Sequence, residues 1–111
     1  HTVVQSSFEK PCEPIEGDRG IFSGFNFKTD AGEAGNIFQF TVRDKQPFWY
    51  YCSQPNGDHC QKGMSGVINQ NSSSDNTLAA YKEKARDTVT KQPSGDPLVS
   101  HGGAIVPSKP L

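Results

Sequence analysis

No segment of this 111-residue chain approaches the roughly 20 consecutive apolar positions of a spanning helix, so a helical membrane span is excluded as its organising element. Charge of one sign is missing as well. Eleven Lys and Arg stand against 12 Asp and Glu, and a net charge of −1 supplies no field to draw nucleic acid or an anionic lipid surface. Hydrophobic residues make up 32% and the mean hydropathy is −0.66, a thin core for one small domain, so part of the chain is expected to lie outside it. There is no internal repeat. The first residues carry no charged-then-apolar leader, so a secretion signal, if there was one, is expected to be already gone. Cysteine is sparse and odd in number: Cys12, Cys52 and Cys60 leave one thiol over once a pair has formed, and a disulfide would place the protein outside the reducing cytosol. Methionine occurs once, at Met64.

What is present is mostly strand signal. Thr2 to Gln5 is short and β-prone, and a loop through Cys12 and Pro14 leads into a glycine-punctuated segment holding Ile21, Phe22, Phe25 and Phe27. From Ile37 to Val42, Phe38, Phe40 and Val42 alternate with Gln39 and Thr41, the period of a half-buried strand. After Pro47 comes an aromatic run that points Phe48, Tyr50 and Cys52 one way and Trp49 and Tyr51 the other, with both faces sheltered and the rings assigned to packing. Met64 to Ile68 reads as a return strand, so residues 37 to 68 predict two or three adjacent antiparallel strands. Past the polar breaker at Asn69, Leu78, Tyr81, Ala85 and Val89 predict one amphipathic helix over 77–89, capped by Asp75 or Asn76, with Lys82, Glu83, Lys84 and Arg86 on its wet face. Beyond Thr90 the Pro, Gly and Ser content predicts a flexible tail, in which His101 is expected to be solvated. The domain boundaries expected are 1–70 for the β domain, 71–90 for linker and helix, and 91–111 for the tail. Asn71-Ser72-Ser73 offers an N-glycosylation acceptor.

The chemistry gathers in YCSQPNGDHCQKGM and at His1. A thiolate, two imidazoles and a thioether from Cys52, His1, His59 and Met64 are the donors of a trigonal His2Cys copper site with a weak axial Met. Three of the four lie on one loop between two strands, which would limit their movement when copper changes oxidation state. Asp58, beside His59, is expected to be an exposed loop carboxylate.

HTVVQSSF, PFWYYCSQ and HCQKGM together resemble the cupredoxin-like domain of fungal secreted proteins, and HC-x-x-GM is also similar to plant phytocyanins. The likeness covers about residues 1 to 70. It implies an all-β, Greek-key cupredoxin-like sandwich, present in part, with one appended helix and a C-terminal tail. It implies His1, Cys52, His59 and Met64 as ligands of one copper ion, and a structural disulfide between Cys12 and Cys60 that leaves Cys52 reduced. Six residues separate Cys52 from His59, more than the phytocyanin pattern uses, and Pro55-Asn56-Gly57 is expected to absorb the excess as a turn. The family reaches its first ligand histidine only after several strands, so the chain is expected to be a fragment, a proteolytic product whose other half is retained, or one that completes its sheet with another chain.

The function expected is that of a secreted or cell-wall-associated type 1 copper protein that binds copper or transfers single electrons to an unnamed redox partner. It would not be an enzyme, because the ligand set leaves no open position for a substrate. One alternative is a cell-surface interaction module that keeps the fold without metal. Another is an oxidative copper enzyme using His1 as a chelating histidine brace, completed by His59 or His101.

Overall fold

The computed structural model describes residues 1–15, 20–29 and 32–108. Its first sheet is built from β1 (Val4–Ser6), β3 (Phe48–Tyr51) and β4 (Ser65–Ile68), in the order β1-β3-β4 with both pairings antiparallel. Alternation decides the faces as anticipated: Trp49 and Tyr51 are buried, whereas Phe48 and Tyr50 are half-buried on the other side. The free side of β1 does not face solvent. Gln5 N–H donates to Ile21 O and Ser23 N–H to Val3 O, each at 2.9 Å, so the segment around Phe22 protects that edge.

The second sheet pairs β2 (Asn36–Gln39) with β5 (Ala104–Pro107), from Asn36 opposite Pro107 to Gln39 opposite Ala104. Two sequence expectations change here. Strand β2 is not the neighbour of β3, and the stretch expected to be a wandering tail contributes a strand. The reason lies in Ile105 and Val106, β-formers within the Pro- and Gly-rich composition, and in Gly103, where a Cβ would collide with Gln39 O and the Phe38 ring. Phe38, Phe40, Phe48 and Tyr50 form a row of rings from β2 to β3, with successive centroids 5.9, 5.0 and 6.2 Å apart. Val42, expected on that face, is exposed.

One helix, α1 (Leu78–Ala85), packs against β4. Its cap is Thr77, whose hydroxyl accepts from Ala80 N at 3.2 Å, instead of Asp75 or Asn76. The helix stops four residues short of Val89, because Thr88 turns back to bond Ala85 O through both its amide and its hydroxyl. Tyr81 and Ala85 are fully buried, and the Tyr81 ring lies parallel to Trp49 at 5.4 Å. The Tyr81 hydroxyl shares a 2.6 Å bond with the Ser6 hydroxyl and accepts from Cys12 N at 3.4 Å. Burial pushes its pKa above 10.0, against the opposing pull of those two bonds. Val4, Cys12, Phe22, Tyr51, Cys60 and Ala85 form the core cluster. The architecture is the expected one in class: mostly β, with two antiparallel sheets and one short helix among the described residues, in keeping with a partial cupredoxin-like sandwich.

Candidate metal centre

Cys52 directly follows β3, and its N–H donates to Met64 O at 3.0 Å, so the β3–β4 ladder runs on to the mouth of the loop between them. Within the loop, Asp58 N–H donates to Pro55 O at 3.1 Å around Gly57, whose φ of +93° suits a residue without Cβ. This is the turn that takes up the extra residues. Lys62 N–H then reaches Asp58 O, Gly63 N–H reaches Cys60 O, and Met64 N–H reaches His59 O at 2.9 Å. A second clamp is covalent. Cys12 and Cys60 are joined by a disulfide with Cα atoms 5.9 Å apart, so the residue next to His59 is tied into the core. The pairing is the one the family resemblance implied, and Cys52 is the free cysteine.

The other side of the site comes from the chain ahead of β1. Continuing the β1–β3 register beyond Val4 opposite Tyr51 brings Thr2 across from Ser53. Both are buried; Ser53 N–H donates to Thr2 Oγ1 at 2.9 Å, and the two hydroxyls lie 2.8 Å apart. Thr2 N–H points at Cys52 Sγ, 3.3 Å away. Each member of this polar pair adjoins a candidate ligand, His1 or Cys52. Nothing in their residue types marks Thr2 and Ser53 as part of a site; the signal was positional, in the register that the flanking strands impose.

These clamps bring three donors together. Cys52 Sγ is 3.6 Å from His59 Nδ1 and 3.9 Å from His1 Nδ1, and the candidate ligand atoms all lie within 4.8 Å of one another. The imidazole centroids are 5.1 Å apart. An ion bonded to sulfur at about 2.3 Å and nitrogen at about 2.0–2.1 Å, at angles between tetrahedral and trigonal, sets its S and N donors about 3.5–3.8 Å apart. The separations found are close to that, so the residues fit a metal. Cys52 is 2% exposed, His59 half-buried and His1 exposed, which puts sulfur at the floor and one imidazole at the rim. Met64 lines an open pocket together with His1 and His59, with 42% of its surface exposed. Asp58 is exposed, as expected.

His101 takes no part in the cluster, and it is not a solvated tail residue either. Its backbone exchanges two 2.9 Å bonds with Phe22, and its Nδ1 lies 2.8 Å from Gly20 O.

Two curated fungal proteins resemble the chain. An extracellular serine-rich protein of Arthroderma benhamiae is 39% identical over 95% of this chain and 38% of its own length. A probable GPI-anchored cupredoxin-1 of the same fungus is 33% identical over 99% of this chain and 58% of its own length. The chain thus spans between about two fifths and three fifths of these relatives. The second likeness supports a fungal cupredoxin-like domain, and with the His1, Cys52 and His59 cluster it is compatible with copper. No protein-family profile matches the chain, and no solved structure does.

Proposed function

We propose that the protein is an extracellular or cell-surface type 1 copper protein that binds one copper ion and passes single electrons. The reading is carried by one observation: a free, buried cysteine sulfur and two imidazole nitrogens, 3.6 and 3.9 Å from it, form one cluster. His1, Cys52 and His59 would hold the ion, with Met64 as the weak axial donor; bound copper supplies one-electron redox chemistry. The residues around the ligands keep the donor set nearly fixed. The disulfide and the loop hydrogen bonds restrain His59, the Thr2–Ser53 pair restrains His1 relative to Cys52, and Thr2 N–H donates toward the sulfur. Little then has to rearrange when charge arrives or leaves. A non-enzymatic role follows from a filled ligand set, and a secreted or wall-bound location agrees with the names of the relatives. Asn71 is exposed in a tight turn, its Oδ1 accepting from Ser73 N, which suits the proposed glycan. The redox partner, and any chain segment or second chain that extends the sheets, belong to the same proposal.

Copper(II) added to the reduced-Cys52 protein should give an intense visible thiolate charge-transfer band at one equivalent. Cys52→Ser should abolish that band, and Met64→Leu should shift its energy and the reduction potential while leaving it intense. A colourless wild-type protein with weak, non-stoichiometric copper uptake refutes the reading and favours a metal-free interaction module.

A further inference from the structure

Beside the donor cluster, a second cleft of about 480 Å³ is lined by His1 and His59 but not by Met64. Its walls combine Phe25 and Phe27 with Lys28, Gln54 and Asn56. That size and mixture suit a small molecule held by apolar walls and oriented by a few polar groups. We propose that this cleft is a binding site for a small aromatic carboxylate, a ligand class distinct from the metal.

Three observations carry the assignment. First, the charge is one-sided: Lys28 lines the cleft together with His1 and His59, and no carboxylate lines it among the described residues. An anion is the matching charge. Second, Phe25 and Phe27 both line the cleft, and aromatic rings pair favourably with one another. Third, the walls are anchored. Phe25 N–H donates to Pro97 O at 2.9 Å, Asn26 Nδ2 to Leu98 O at 2.8 Å, and Phe25 packs edge-on against the core ring of Phe22. Opposite them, Gln54 Oε1 accepts from Asn56 N at 3.2 Å, which holds the carboxamide in place and leaves its Nε2 hydrogens to donate to an oxygen of the ligand. A carboxylate near Lys28 and Gln54, with its ring against Phe27, would rest beside the imidazoles of the proposed centre. The binding itself needs no metal, so metal-free protein tests it separately from the copper reading.

The probe is 4-hydroxybenzoate, titrated into the metal-free full chain and followed by NMR. Saturable shifts are expected at the His1 and His59 ring protons and the Gln54 and Asn56 carboxamides, with the remote Trp49 indole unmoved. The uncharged 4-hydroxybenzamide should bind at least about fivefold more weakly, and Lys28→Gln, at an exposed position, should weaken the acid about tenfold with the spectrum otherwise native. Cyclohexanecarboxylate should also bind more weakly, since it keeps the charge and lacks the ring face. Equal affinity for acid and amide, indifference to Lys28→Gln, equal binding of cyclohexanecarboxylate, or unsaturable shifts would each overturn the proposal.

Discussion

Replacing Thr2 by Val isolates the polar pair that fastens His1 beside Cys52. Valine keeps the β-branch and nearly the same volume, so packing is preserved and the change falls on the hydroxyl alone. That hydroxyl accepts from Ser53 N at 2.9 Å and bonds the Ser53 hydroxyl at 2.8 Å, in surroundings where Thr2 is 7% and Ser53 0% exposed. Leaving the buried Ser53 N–H without an acceptor costs about 1–3 kcal/mol, and losing the hydroxyl pair about 1 kcal/mol more, so a fall of about 2–4 kcal/mol is expected. With a urea dependence of about 2 kcal/mol per molar, the unfolding midpoint of the metal-free protein should drop by about 1–2 M. Thr2→Ser, which retains the oxygen, should lose much less. Combining Thr2→Val with Ser53→Ala should cost less than the sum of the single changes, by about 1 kcal/mol, because both remove the same hydroxyl pair. A midpoint unmoved by Thr2→Val, or a Thr2→Ser protein as weak as Thr2→Val, would refute the reasoning.

At Gly66 an added Cβ would strike the Tyr50 ring and hydroxyl, so Gly66→Ala should destabilise by about 1–3 kcal/mol in thermal unfolding, and removing the ring in Gly66→Ala/Tyr50→Ala should recover part of the overpacking cost. Because Tyr81 has its pKa raised by burial, its contribution to stability is complete below the unfolded value of 10.0 and is lost as pH rises through the folded value; Tyr81→Phe should lower stability at neutral pH and flatten the alkaline fall measured by urea unfolding at stepped pH. The Cys12–Cys60 bond spans 48 positions, and by loop entropy its removal in Cys12→Ala/Cys60→Ala should cost about 4 kcal/mol, read as a lower melting temperature. Mass analysis of the unreduced wild type should find position 52 alkylatable and the other two cysteines protected.

How much of this was legible beforehand varied with the range of the interaction that decides each feature. Strand β3, its two faces and the helix core positions Tyr81 and Ala85 were readable because local periodicity sets them. The three clustered donors were readable through their types and their motif context, since a loop closed by two paired strands has little freedom over where Cys52 and His59 end up. The partner of β2 was not, for alternation in Ile37 to Val42 shows that a strand exists and says nothing about which distant segment it meets. Composition also misled at Ala104–Pro107, where surrounding Pro and Gly outweighed two β-branched residues. His101 looked like a tail residue because its backbone partner, Phe22, lies far back in the chain.

The pairing of β2 with β5 has a consequence for biosynthesis. A strand that forms near position 36 waits for a mate near position 107, so the second sheet stays open until about 70 further residues have been made. Throughout that interval the row from Phe38 to Tyr50 lacks its finished edge, and three thiols coexist before two of them have been joined. Oxidation at that stage has three possible pairs to choose from, and two of them would consume Cys52. The order in which translation and thiol oxidation occur therefore determines how many molecules keep Cys52 free.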